Sequence, residues 1–109
     1  MELAKLAGQH IFQLSDNNGT VIKTGCMTLA ADGTGTFVLA NYASDRRPCT
    51  ISTGIDLPGL TKDNVGQITM NFHQDQGHIA TNWYFSVSGN QWLFQSADGD
   101  GTGVGYRVQ

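Results

Sequence analysis

The chain has 109 residues, 14% charged side chains, a net charge of -3, 14 glycines and only 2 prolines. That length makes one domain over 1–109, large enough for a hydrophobic core without extra staples. The acidic balance excludes the basic stripe that nucleic acid requires and the polybasic patch of a membrane-surface protein, and no apolar run reaches the length of a transmembrane helix.

The start, MELAKLAGQ, has no apolar signal-peptide core, so localisation stays open between the cytoplasm and export of a mature chain. Met1 to Ala7 predicts a single helical turn with Leu3 and Leu6 on one side. Turn signals then arrive every 8 to 15 residues, among Thr, Val, Ile and aromatic runs, which is the pattern of an all-β chain. Asn18-Gly19 read as a two-residue hairpin turn pairs Phe12 with Gly25 and His10 with Met27. Ala31-Asp32-Gly33 predicts a type I turn with a glycine bulge, pairing Met27 with Phe37 and Gly25 with Leu39. Both registers put Phe12, Leu14, Met27, Leu29, Phe37 and Leu39 on one face, and a slip of one residue in either turn would break that agreement. Gly25 then lies between Phe12 and Leu39, where a small residue lets large neighbours close over it.

A fourth strand is expected over Arg47–Thr53, with Pro48 at its edge or start. Residues 55–66 read as a loop. Gln67–His73 alternates, with Ile68, Met70 and Phe72 on one face. A turn over residues 74–77 leads into Ile79–Val87, aligning Phe72 with Ile79 and Ile68 with Trp83. A Gly89-Asn90 turn pairs Val87 with Trp92 and Phe85 with Phe94. The last turn, Ala97-Asp98-Gly99, sets Trp92 opposite Val104. The apolar face of this half therefore holds Trp83, Phe85, Val87, Trp92, Phe94 and Val104. Eight short strands joined by tight turns suit a sandwich or a barrel, and sequential hairpins favour an eight-stranded antiparallel up-and-down barrel. Eight strands leave a lumen that side chains just fill or that holds one small ligand.

The same registers turn His10, Asn41, Thr81, Ser96 and Tyr106 inward. Convergent polar groups beside Trp83, Trp92 and Phe85 describe a small-ligand site. The competing reading is that these polar residues are wetted strand ends and both tryptophans fill the core. His73 and His78 face each other across their turn, but no third metal ligand accompanies them. The run DGDGTG from Asp98 opens like a calcium loop but has Gln109 at the twelfth position, and a glycine hairpin explains it equally. No metal, no cofactor and no nucleophile-base set emerges, so no residue is assigned as catalytic. Cys26 and Cys49 would form one disulfide in an exported protein, worth roughly 3 kcal/mol, or remain two thiols in the cytosol.

The pattern resembles the calycin-type small barrels, the lipocalins and avidins. NQWLFQSADG, from Asn90, is similar to an avidin-like strand with a wall tryptophan. Scattered motifs also resemble the bacterial inhibitors of serralysin-type metalloproteases: LAGQ over 6–9, Cys-x-x-Leu over 26–29, and a second cysteine at Cys49. That resemblance implies a Cys26–Cys49 disulfide and an N-terminal segment that enters a protease cleft. His10 stands where that family has a tryptophan.

Three functions follow as expectations. The first is a non-enzymatic binding protein with an aromatic-lined pocket for a small apolar or amphipathic ligand, using Trp83, Trp92, His10, Asn41, Thr81, Phe85 and Tyr106. The second is a protein-interaction module such as a protease inhibitor. The third is a barrel cyclase or isomerase with His10 or Tyr106 as proton donors. A homodimer through an edge strand near Pro48 is a further expectation.

Overall fold

A computed structural model describes residues 2–40, 42–55, 65–74 and 77–108, with side chains described at all of these except 42–43, 72–74 and 77–80. A 3-10 turn over Leu3–Leu6 precedes eight strands: β1 (Gly8–Asp16), β2 (Val21–Leu29), β3 (Thr34–Leu39), β4 (Tyr42–Thr53), β5 (Val65–Gln74), β6 (Gly77–Ser88), β7 (Gln91–Ser96) and β8 (Gly101–Arg107). Each strand pairs with the next in sequence, and β8 pairs antiparallel with β1 to close the barrel. Closure pairs every strand with a neighbour on both sides over part of its length, and Pro48 lies on β4 between its pairing with β3 and the start of the β4–β5 ladder.

The turns follow from their glycines. Gly19, Gly33, Gly89 and Gly99 adopt φ of 82°, 89°, 60° and 77°, a region that a Cβ disfavours. The β1–β2 connection is longer than the two-residue turn expected. Asp16 N–H donates to the Thr20 carbonyl, closing a three-residue loop. A register shift between Leu14 and Ser15 then restores the expected pairs Leu14–Lys23, Phe12–Gly25 and His10–Met27. The β2–β3, β5–β6 and β6–β7 registers are also those expected, including Met27–Phe37, Ile68–Trp83 and Phe85–Phe94.

β4 begins five residues before the expected Arg47. A register shift between Phe37 and Leu39 lets its first half pair with β3. Pro48 sits inside this strand rather than at its start. It has no N–H to give, and the described β4–β5 ladder begins one residue later, at Cys49–Met70. Residues 56–64 of the expected loop lie outside the described residues.

One register differs by a residue. Trp92 pairs with Gly105, and Val104 pairs with Leu93. Val104 therefore belongs to the outer wall, and β8 turns Gly101, Gly103 and Gly105 inward. Phe12 and Trp92 flank Gly105 on the two neighbouring strands, and Leu14 and Phe94 flank Gly103. The missing β-carbons give those four large side chains the space over β8.

The interior is one continuous cluster that includes Phe12, Leu14, Met27, Phe37, Ile68, Met70, Trp83, Phe85, Trp92 and Phe94, with Leu6 of the 3-10 turn packed into it. Each contributes on the order of 2 kcal/mol of apolar transfer when buried, set against the conformational entropy of ordering the chain.

The two cysteines do not join. Cys26 is exposed and Cys49 is buried, and neither is disulfide-bonded. Cys26 lies between Ile11 and Val38 on the outer wall, whereas Cys49 pairs with Met70 on the inner one. The strands β2 and β4 are second neighbours, roughly 10 Å apart, beyond the reach of a disulfide. Burial pushes the Cys49 thiol up to about 11, which keeps it protonated and unreactive at neutral pH.

Candidate functional site

The residues with chemical potential gather at one end of the lumen, where β1 and β7 begin and β8 ends. His10 is fully buried, with 0% exposure. Its ring meets Trp92 edge-on, with centroids 4.9 Å apart and an interplanar angle of 74°. Trp92 lies in turn 4.8 Å from Phe85 and stacks on Phe94 at 5.8 Å and 17°. The β1–β8 and β7–β8 registers produce this meeting: His10 pairs with Arg107, Trp92 pairs with Gly105, and the two strands flank β8.

The 3-10 turn closes this end. His10 Nε2 lies 2.8 Å from the Leu6 carbonyl, so Nε2 carries the proton and donates it. That tautomer makes Nδ1 the acceptor, and Nδ1 is buried with no hydrogen-bond partner among the described residues. An unpartnered buried acceptor costs on the order of 1–3 kcal/mol, so a native barrel gains by supplying a donor there. The Arg107 guanidinium bonds the Lys5 carbonyl, tying β8 to the same turn.

His10 stays neutral. Burial lowers its pKa from the ordinary 6.5, the bond to Leu6 opposes this, and Arg107 adds to the lowering. The unfolded chain therefore binds the extra proton more readily than the folded one. The His10 contribution is present in full above pH 6.5 and is lost as pH falls from there toward the depressed folded value, by at most about 1.4 kcal/mol per pH unit. The expected result is a lower urea midpoint at pH 5.5 than at pH 7.5, with a smaller difference in His10→Leu. Identical pH responses in the two chains would contradict the assignment.

At the opposite end, Trp83 Nε1 donates to Thr81 Oγ1 at 3.1 Å, and that hydroxyl donates to the Met70 carbonyl at 3.2 Å. Ser96 is buried and its Oγ accepts from Asp98 N–H at 3.2 Å. These inward polar groups are satisfied within the wall. Ser96 and Thr81 thus belong to the Trp83 end, His10 to the Trp92 end, and the two do not converge on one point. Asn41 lies outside the described residues. Tyr106 is not inward: it is 46% exposed, pairs with Ile11 on the outer wall and cannot act beside His10. The slip in β8 register accounts for this, since every side chain of a strand changes face with a one-residue shift.

The chain has no match among family models, curated proteins or solved structures.

Among the described residues, two depressions open on the outer wall and neither separates the two tryptophans. One of about 450 Å³ is bordered by Tyr84, Ser86, Leu93, Gln95 and Thr102. The other, of about 270 Å³, lies among Ile11, Gln13, Thr24, Val104 and Tyr106. Sequence reasoning missed both, because it followed the inward alternation only. The outward residues of β6, β7 and β8 carried the signal. Among the described residues no group of three or more His, Cys, Asp or Glu could hold a metal ion. The backbones of His73 and His78 pair with each other in the β5–β6 ladder. Asp98 and Asp100 lie in the β7–β8 turn, where Gly99 N–H donates to the Ser96 carbonyl.

Proposed function

We propose that the protein is a non-enzymatic binding barrel that takes a small amphipathic ligand at the His10–Trp92 end of its lumen. The observation that supports this reading is the unpartnered Nδ1 of a fully buried histidine beside a tryptophan. The ligand would place an apolar ring against Trp92 and Phe85 and a hydrogen-bond donor on Nδ1. Entry is through the 3-10 turn. That closure lacks a side-chain N-cap bond and is held by the Leu6 side chain and by the bonds of His10 and Arg107 to the turn, so ligand entry exchanges the Leu6 contacts for its own. The Leu6 side chain then leaves the interior while its carbonyl stays on Nε2, and the ligand's ring takes the side chain's place.

The test compares naphthalene with 2-naphthol, which share a ring system and differ by one donor. Amide chemical-shift titration should give roughly tenfold tighter binding of the naphthol, from satisfying one buried acceptor. In His10→Phe the two affinities should become equal. Leu6→Ala, which frees space and keeps the carbonyl on Nε2, should tighten both. No shift with either ligand, in the native chain and in Leu6→Ala, would sink the reading.

A protein-interaction module is the second reading, and the exposed apolar side chains of the outer wall favour it. Its protease-inhibitor form requires the N-terminal segment to leave the barrel, because Leu6 is only 4% exposed.

A further inference from the structure

His10 and Arg107 are direct partners across β1 and β8, so their side chains leave the same face of the sheet with β-carbons about 5 Å apart. Both then reach the 3-10 turn. His10 Nε2 bonds the Leu6 carbonyl, and the Arg107 guanidinium bonds the Lys5 carbonyl, one residue earlier. Adjacent peptide units therefore hold the imidazole and the guanidinium side by side. A guanidinium has five N–H donors, and among the described residues no carboxylate lies within ion-pair distance of this one. Nδ1 has no donor among them either. Within the described residues, an acceptor without a donor thus stands beside a cation without an anion.

The other elements packed around His10 bring no charge to it. Met27 on β2 and Trp92 on β7 flank the ring. Cys49, inward on β4, is a protonated thiol. Glu2 and Lys5 beside the turn are exposed. Asp16 and Lys23 belong to the far ends of β1 and β2.

Given the binding role proposed for the His10–Trp92 end, on which this rests, we infer that its ligand is an apolar carboxylic acid that binds with uptake of one proton from solvent. A carboxyl group supplies what both side chains lack. Its O–H donates to Nδ1, and its second oxygen accepts from the guanidinium, whose planar fork matches a carboxyl group. A phenol or an alcohol satisfies Nδ1 alone. In water near pH 7 a carboxylic acid is ionised, and folded His10 is neutral, because burial and Arg107 lower its pKa. A bare carboxylate would set its lone pairs against that of Nδ1. The complex forms when one solvent proton enters the contact between the carboxyl oxygen and Nδ1, and no covalent bond between ligand and protein is made. Above pH 6.5 both free partners lack that proton and the complex holds it, so the dissociation constant rises about tenfold per pH unit.

Amide chemical-shift titration of the full chain with 2-naphthoate should give a dissociation constant about tenfold larger at pH 7.5 than at pH 6.5. With 2-naphthol, a phenol that keeps its proton in this range, the change should be less than about twofold. Calorimetry in two buffers of different ionisation enthalpy should show about one proton taken up per naphthoate bound and none per naphthol. In Arg107→Gln, whose amide still donates to the Lys5 carbonyl, the ratio of naphthoate to naphthol affinity should fall at least tenfold. Arg107→Lys keeps the charge, loses the fork and should give an intermediate ratio. Binding of naphthol without naphthoate overturns the inference and leaves the binding role standing. Naphthoate bound without proton uptake, or a ratio that Arg107→Gln does not lower, does the same. Binding of neither ligand removes the binding role and the inference together.

Discussion

Trp92→Ala is expected to lower the unfolding free energy by about 3–5 kcal/mol, measured by urea denaturation at pH 7.5. For a single domain of this length that is a large share of total stability. Trp92 is 1% exposed and touches His10, Phe85 and Phe94. Across from it on β8 stands Gly105, which has no side chain to move into the vacated volume. A cavity that neighbours cannot refill costs more than the transfer energy of the lost atoms. Trp92→Phe keeps a ring in the stack and should cost less than half as much. A loss below about 1 kcal/mol in Trp92→Ala would mean that the indole does not fill the interior, and the ligand site beside His10 would go with it.

The hairpins were legible because independent turns had to agree. Asn18-Gly19 and Ala31-Asp32-Gly33 each set a register, and only one combination puts Phe12, Met27 and Phe37 on the same face. That combination is the one observed, and it survives even where the local turn is one residue longer than expected. The same alternation already decided the cysteines. With Met27 inward, Cys26 has to face out, while Cys49 shares the inward phase of Ile51. The disulfide implied by the family resemblance conflicts with that spacing, and the conflict could have been read from residues 26, 27, 49 and 51 alone.

The β8 register was not legible by the same means. Residues 101–107 offer two alternations, Gly101-Gly103-Gly105 and Thr102-Val104-Tyr106. Hydrophobicity prefers Val104 inside, and so misplaces Tyr106 as well. The deciding quantity is volume: Leu14, Phe94, Phe12 and Trp92 already occupy the space over the strand, and only glycine fits beneath them. Hydropathy patterns do not register volume supplied by strands distant in sequence. At His10, pairing with Met27 foretold burial. The orphaned Nδ1 was out of reach, because it depends on the ring rotamer and on a carbonyl from the 3-10 turn.

Gly103 offers the sharpest test of that volume argument. A β-carbon built there lies 2.5 Å from the Gln13 carbonyl oxygen and 2.6 Å from Leu14 Cδ2. Leu14 is 1% exposed and has no room to retreat, and the backbone oxygen is held in a closed sheet. Gly103→Ala should therefore cost about 1–3 kcal/mol by overpacking, and Gly103→Val more. Gly99, with nothing within 4 Å and a φ of 77°, separates the two ways a glycine is needed. Gly99→Ala meets no clash, and its cost is backbone strain alone, on the order of 1 kcal/mol. Shortening the neighbour tells them apart: Leu14→Ala should recover part of the loss in Gly103→Ala and none of that in Gly99→Ala. Val104→Ser, one residue along on the outer wall, should change stability by no more than about 0.5 kcal/mol. If Val104→Ser proved costlier than Gly103→Ala, β8 would sit one residue out of the register described, Val104 would face Trp92, and Tyr106 would return to the lumen. The glycine stripe and the outer apolar wall would then disappear together, because the same alternation creates both.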